Sequence, residues 1–318
     1  MIDALNWLLL TLGDIAQWIW NDGLGYLGSF FTFINQLINP VLAPLLRFLN
    51  ILVNTIAGYL LAPIGMLPGW LSKTIISAIT GVLLLIIFKY TSNQKAIGKV
   101  KDNIKANLLA LKLFKDELSV TFHSQGRIFL GATRLLRYSL WPLLVMMVPV
   151  LLELSQMGVW YQWRPLRLGE TTLVTMRLAG KIDEPMQQVK FLPNSGVEPV
   201  LGPVHITSKR EICWEIRALK EGFYDLVFQV DQQQIEKELA VGDGLMRISA
   251  VRPSWNWTTI LTHPLEKPFD KDSPVQAISI DYPDRVSWTS GTDYWLIYFF
   301  CASLVFALLF KPFLKVKI

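Results

Sequence analysis

Three long apolar runs constrain this chain more than any other feature. They are IISAITGVLLLIIF, inside Lys73–Lys89, LWPLLVMMVPVLLELSQMGVW at Leu140–Trp160, and YWLIYFFCASLVFALLF at Tyr294–Phe310. A hydrocarbon layer of about 30 Å needs about 20 apolar residues of helix. Each run is near that length and reads as a membrane span. The competing reading, buried helices of a soluble core, does not account for three such runs with matching charged flanks. Of the 318 residues, 52% are hydrophobic and only 17% charged, against about 25% charged in soluble domains. Lys73 and Lys89 close the first run and are expected to snorkel toward its two interfaces.

The charges fall in blocks that set an orientation. Met1–Ser72 holds one basic residue, Arg47, against Asp3, Asp14 and Asp22. Lys89–Tyr138 holds ten Lys/Arg against three Asp/Glu, and Tyr161–Thr292 holds fifteen against seventeen. Lysines follow the third run at 311, 315 and 317. The positive-inside rule places Lys89–Tyr138 and the C-terminus in the cytosol, with the N-terminus and Tyr161–Thr292 on the other face. The expected location is a bacterial inner membrane, with the outer parts periplasmic. Trp70, Trp160, Tyr161, Trp163, Trp288 and Trp295 mark the outer interface; Tyr90, Tyr138 and Trp141 mark the inner one. The basic balance belongs to topology and anionic headgroups, so no specific nucleic-acid binding is expected.

The first seventy residues are apolar but broken by Gly23, Gly25, Pro40, Pro44, Pro63 and Pro68. They read as helices over about Asp3–Trp20, Leu24–Asn39 and Val41–Leu61, each with a polar stripe at helical spacing. Arg47, Asn50, Asn54 and Gly58 form one stripe; Gly25, Ser29, Thr32, Gln36 and Asn39 form another. A wide apolar face with a narrow polar one suits helices lying in the outer interface. Spanning helices that pack through Gly, Ser and Thr are the alternative.

Within residues 91–139, Ile97, Ile104, Leu111 and Leu118 recur every seven residues, with Val100, Leu108 and Phe114 between them. Asp116-Glu117-Leu118-Ser119 reads as a break, with Ser119 or Thr121 capping a second helix. The segment is expected to be a helical hairpin with a basic face formed by Lys95, Lys99, Lys101, Lys105, Arg127, Arg134 and Arg137. That face either meets anionic headgroups or docks a ribosome, a nascent chain or another membrane protein.

From Leu166 the period changes to alternation. Thr171–Leu178, Val189–Leu192, Val204–Ile206, Ile212–Ala218, Tyr224–Val230 and Glu236–Val241 read as strands. Glu221-Gly222-Phe223-Tyr224-Asp225-Leu226 resembles the tyrosine corner of immunoglobulin-like sandwiches. The expected organisation is an α+β membrane protein. Interfacial helices occupy residues 1–70, spans 71–90, 140–160 and 294–310, the hairpin 91–139, an immunoglobulin-like sandwich 161–252, a Pro/Trp-rich connector 253–293 and a basic tail 311–318.

Chemistry is sparse. Cys213 and Cys301 are far apart in sequence, and His123, His205 and His263 stand at no metal-ligand spacing. No nucleophile, metalloprotease or phosphate-loop motif occurs, so neither catalytic residues, a metal nor a cofactor is expected. One ionisable residue lies inside an apolar run: Glu153, beside Ser155 and Gln156. Such a group should face protein or a wet cavity. With Thr74, Ser77, Thr80 and Gly81 of the first run and Cys301 and Ser303 of the third, these residues form a candidate hydrophilic groove. Alternatively, Glu153 bonds a neighbouring helix and the small residues are packing contacts.

An N-out span, a basic cytosolic hairpin and a returning span opening with proline (LWPLLVMMVP, Leu140–Pro149) resemble the core of YidC/Oxa-type membrane insertases. Asn93–Asp116, NQKAIGKVKDNIKANLLALKLFKD, is similar to the hairpin after their first core span. The likeness covers Leu71–Trp160, and the three-span count is closest to the small archaeal members and the insertase subunit of the eukaryotic ER membrane complex. It implies an insertase-like membrane chaperone with an apolar slide and a shallow polar groove open to the cytosol. A β domain between the second and third spans departs from that pattern, as does the lack of an arginine in the first span. A non-catalytic accessory subunit of a larger complex, binding partners through its β domain, is the alternative.

Overall fold

The structure, a computed structural model, describes residues 24–65, 67–114, 117–181, 184–192, 194–287 and 294–316. The expected helix at Asp3–Trp20 lies outside them. Among the described residues, four helical stretches are long and apolar enough to cross a membrane: Thr32–Thr55, Gly69–Thr91, Ser119–Tyr161 and Tyr294–Leu314.

Helix α1 is one element, Leu24–Gly65, which corrects the expected break at Pro40. Pro40 and Pro44 are four residues apart, so their missing amide bonds fall on one face. Asparagines on both sides of the prolines bind one partner segment and keep the two halves in line. Asn39 Nδ2 donates to Trp255 O (3.1 Å), and its Oδ1 accepts from the Trp257 amide (2.8 Å). Asn35 Oδ1 accepts from the Trp257 indole. Asn50 and Asn54 donate to the carbonyls of Ile260 and Pro264, each at 2.8 Å.

Helix α2 spans Gly69–Thr91 and α3 spans Gln94–Leu113. Asn93 caps α3 by accepting from the Ala96 amide (3.0 Å). Helix α4 runs from Leu118 to Tyr161 without interruption, through Pro142 and Pro149. The second hairpin helix and the second apolar run are therefore one rod of 44 residues. Glu117 occupies its N-cap position; Ser119 and Thr121, the expected caps, lie inside its first turn. Helix α3 lies along the first half of α4, with Ile97, Gly98 and Val100 buried. The two helices meet at Gly131, where a Cβ would stand 2.7 Å from Ile104.

The β domain has eight strands: β1 Thr171–Leu178, β2 Val189–Leu192, β3 Val197–Ile206, β4 Glu211–Ala218, β5 Gly222–Val230, β6 Gln233–Val241, β7 Val251–Arg252 and β8 Val275–Ile280. They form two antiparallel sheets, ordered β3-β4-β1-β8-β7 and β2-β5-β6. Their inner faces share one core that includes Val174, Met176, Trp214, Leu226, Phe228 and Ile278. Trp214 and Phe228 meet across it with ring centroids 5.0 Å apart. Strand β3 begins seven residues earlier than its alternation indicates, because Pro199, Gly202 and Pro203 hide the pattern. It is an edge strand whose register shifts between Pro199 and Leu201 and between Leu201 and Val204, which accommodates residues without an amide donor. Strand β8 comes from the segment expected to be a connector, and it lies between β1 and β7. Short helix α5, Trp257–Thr262, is what the asparagines of α1 grip. Helix α6 spans Tyr294–Leu314.

The junction between α4 and the β domain is tied at several points. The Ile248 amide donates to Val159 O (3.0 Å), and Leu166 pairs with the end of β6, its amide donating to Ala240 O (3.2 Å) and its carbonyl accepting from the Gly242 amide (2.8 Å). Arg164 donates both guanidinium arms to Glu170 at 2.8 Å each, and the Arg167 amide adds a third bond at 2.9 Å. The Arg164 bonds foremost, together with that amide, hold the Glu170 carboxyl at about 2 against a usual 4.5, although burial opposes them. A lowered folded pKa means the contribution is complete above about pH 4.5 and fades as the pH falls toward 2. Glu170→Gln is expected to flatten this acid limb and to cost about 1 kcal/mol at neutral pH, a modest figure because the pair is partly exposed. Acid titration followed by near-UV circular dichroism checks it; an acid limb identical to the parent's would refute the assignment.

Candidate functional site between the helices

Helices α2 and α6 run parallel and share a tight seam, and α4 runs antiparallel to α2. At Gly81 a Cβ would come 2.2 Å from the backbone oxygen of Ser303, so the two backbones touch. Ser77 and Ser303 are buried in this bundle, and their hydroxyls have no hydrogen-bond partner among the described residues. Thr74 Oγ1 lies 2.5 Å from the Tyr298 hydroxyl and 2.7 Å from the carbonyl of Trp70. These small residues form a packing seam of the kind that lets helices approach closely.

Two polar contacts tie α4 to α2. The Tyr161 hydroxyl meets Ser72 Oγ at 2.8 Å. Two turns farther along each helix, Thr80 Oγ1 hydrogen-bonds Glu153 Oε1 and also lies 2.8 Å from Ile76 O. A hydroxyl carries one proton, so Thr80 shares it between two acceptors. Glu153 remains partly exposed beside this contact.

The other candidate groove residues are dispersed. Gln156 Nε2 donates to Asn54 Oδ1 of α1 (2.6 Å). Ser155 Oγ donates to Leu152 O of its own helix (2.7 Å). Of the nine candidates, only Thr80 and Glu153 bond each other across helices among the described residues. Of the expected basic face, Lys95, Lys99, Lys105, Arg127, Arg134 and Arg137 are exposed and Lys101 is half-buried.

Lys73 does not snorkel. It is fully buried, with Nζ 5.2 Å from the Tyr161 ring centroid, 5.5 Å from that of Tyr298 and 5.9 Å from that of Trp295. Rings from α4 and α6 thus enclose a cation carried by α2. Local sequence gives no sign of this enclosure, since the rings arrive from positions 88 to 225 residues away. The partner of the α1 asparagines was equally hidden, although helical spacing placed Asn39, Asn50 and Asn54 on polar stripes.

The exposed apolar residues also form a pattern. Phe122, Phe129, Leu136, Leu140, Met147 and Leu151 are exposed at steps of four or seven along α4, which places them on one face of the rod. No family model, curated protein sequence or solved structure matches this chain.

Proposed function

We propose that this is an integral membrane protein acting as an insertase-like membrane chaperone. The observation that carries the reading is the unbroken rod α4. Its 44 residues extend about 66 Å at 1.5 Å per residue, roughly twice the hydrocarbon thickness. The half nearer Tyr161 spans the membrane; the other half, backed by α3, stands in the cytosol. The apolar stripe from Phe122 to Leu151 gives an apolar segment of a client a continuous track into the bilayer. Arg127, Arg134 and Arg137 flank the track, and Glu153 with Thr80 offers polar groups inside the membrane to a short polar tail.

The remaining parts fit this arrangement. Helix α1 lies in the outer interface, its asparagines on α5 and its apolar residues Phe33, Leu37, Val41, Phe48 and Ile51 exposed to lipid. The β domain is an immunoglobulin-like sandwich on the periplasmic side of a bacterial inner membrane. Two features support that assignment. Strands β8-β1-β4-β3 and β2-β5-β6 reproduce the pairing of the two constant-type sheets, with β8 in the place of the usual first strand. Tyr224, near the start of β5, donates its hydroxyl to Glu221 O (3.0 Å) at the corner entering that strand.

The test is insertion into proteoliposomes of a single-span client with a short polar N-terminal tail, read as the protease-protected fraction. Glu153→Leu is expected to lower that fraction about fivefold or more, because the tail then crosses without a polar partner. Lys99, Lys101 and Lys105 changed together to Glu should slow capture of the client. Wild-type insertion by both variants would sink the proposal. The accessory-subunit reading is favoured by exposed Val200, Leu201 and Val204 on edge strand β3, which offer a partner an apolar sheet edge. Loss of a co-purifying protein on changing Leu201 and Val204 to Lys, with insertion intact, would favour it.

A further inference from the structure

A cavity of about 270 Å³ lies where the outer ends of α4 and α6 meet the β domain. Leu151, Leu154, Leu296, Ile248, Leu261 and Leu265 supply much of its wall. Among the described residues, no Asp, Glu, Lys or Arg lines it, and the titratable group in its wall is His263. Burial lowers the His263 pKa, so the imidazole is neutral near pH 7. Ser155 and His263 turn their polar atoms toward protein, and Gln162 adds a carboxamide at the outer end. Ser155 bonds its own helix, and His263 Nδ1 lies 2.9 Å from Thr262 Oγ1 and 3.3 Å from Thr259 O. The cavity therefore presents an uncharged, mainly hydrocarbon surface. It is larger than the roughly 150 Å³ apolar cavities that stay dry and take benzene.

We infer that this cavity holds one acyl chain of an outer-leaflet phospholipid. Two features point to lipid as the occupant. First, the wall is continuous with exposed apolar stripes. Leu151 continues inward through Met147, Leu144 and Leu140 on α4, and half-buried Leu296 continues through Phe300 and Leu304 on α6; apart from Leu296 all of these residues are exposed. Secondly, the cavity reaches from Leu151 to Gln162 along α4, a depth of about 16 Å at 1.5 Å per residue. That range covers the upper part of the outer leaflet and its interface. A chain entering from the gap between α4 and α6 passes from bilayer to protein without crossing a charged group. This inference rests on the membrane reading above but not on insertase activity.

The test uses the full chain in phosphatidylethanolamine/phosphatidylglycerol vesicles containing a trace of phospholipid with a diazirine in one acyl chain. After illumination, labelled peptides are mapped. Enrichment is expected on 151–163 and 248–265 over the lipid-facing stripe around Leu304. Gly158→Leu and Leu261→Trp each fill the space, since a Cβ on Gly158 would meet only Trp295 and Gln162 at ordinary contact distance, 3.6 to 3.8 Å. Each should cut cavity labelling about fivefold and leave labelling near Leu304 unchanged; two different fillers guard against one misfolded variant. Cavity labelling no higher than the Leu304 stripe, or unaffected by either filler, overturns the inference. So does a photoreactive residue at Leu265 that captures a protein chain in place of lipid. Loss of labelling at Leu304 as well would instead overturn the membrane reading.

Discussion

Gly81→Leu is expected to force α2 off α6. The Cβ of any residue at this position would stand 2.2 Å from the Ser303 carbonyl oxygen and 3.0 Å from its carbonyl carbon. The obstacle is backbone, so no choice of rotamer relieves it. Even Gly81→Ala should cost about 2–3 kcal/mol, in the range of other overpacked sites, and leucine more. The damage extends beyond the seam. Trp295 and Tyr298 of α6 wall in Lys73 of α2, and separating the helices would strip Lys73 of two of its ring contacts. Thermal unfolding in mild detergent by near-UV circular dichroism should show a midpoint lower by about 5 °C or more for leucine. Ser77→Ala is the counterpart. Its hydroxyl is buried without a partner among the described residues, so removing it should be neutral or slightly stabilising. A leucine variant that melts with the parent would show that the seam is not closed at Gly81.

The second large effect is expected at Lys237. Strand β6 alternates, and Lys237 falls on the same inward face as Ile235 and Leu239. Its side chain is fully buried, and Nζ lies 2.6 Å from Glu266 Oε1, 3.0 Å from Glu238 O and 3.3 Å from Ser249 Oγ. Ser249 Oγ also bonds Glu266, and the Ser249 carbonyl bonds Lys237. Burial lowers the Lys237 pKa and Glu266 opposes that shift. Lys237→Ala leaves Glu266 without its cation in a largely buried site and should destabilise the domain by about 3–5 kcal/mol. The pair also fastens the stretch after α5 to β6. Loosening it should release the carbonyl of Pro264 from Asn54, and with it part of the α1 contact. Urea unfolding monitored by tryptophan fluorescence measures the loss. Lys237→Met with Glu266→Leu should recover most of it, since an apolar pair can replace a buried ion pair at little cost. A single variant within about 0.5 kcal/mol of the parent would mean that the pair contributes only shape.

Local patterns were legible where one face of an element decides its environment. The alternation of TTLVTMRL and VKFL located β1 and β2 to the residue. The seven-residue recurrence at Ile97 and Ile104 located the α3 face that packs against α4. The strand at Val275–Ile280 went unread because Pro and Trp dominate its surroundings, although VQAISI itself alternates. Its place between β1 and β7 depends on partners 26 to 28 residues upstream in β7 and 97 to 106 residues upstream in β1. The candidate polar residues were found as residues but not as a group. Helical spacing cannot say which neighbour each will meet, and Gln156 turned to α1 while Glu153 turned to α2.

The three long apolar runs form α2, the second half of α4, and α6. Sequence alone determined that they are helices long and apolar enough to cross a membrane, because length and hydropathy are properties of each segment by itself. Tertiary structure alone decided the rest. It fused the second run to the hairpin through Pro142 and joined α1 through Pro40 and Pro44. It buried Lys73 under rings from two other helices and left a cavity where the β domain meets the bundle. Each of these outcomes depends on which distant surfaces meet, and a local period carries no information about that.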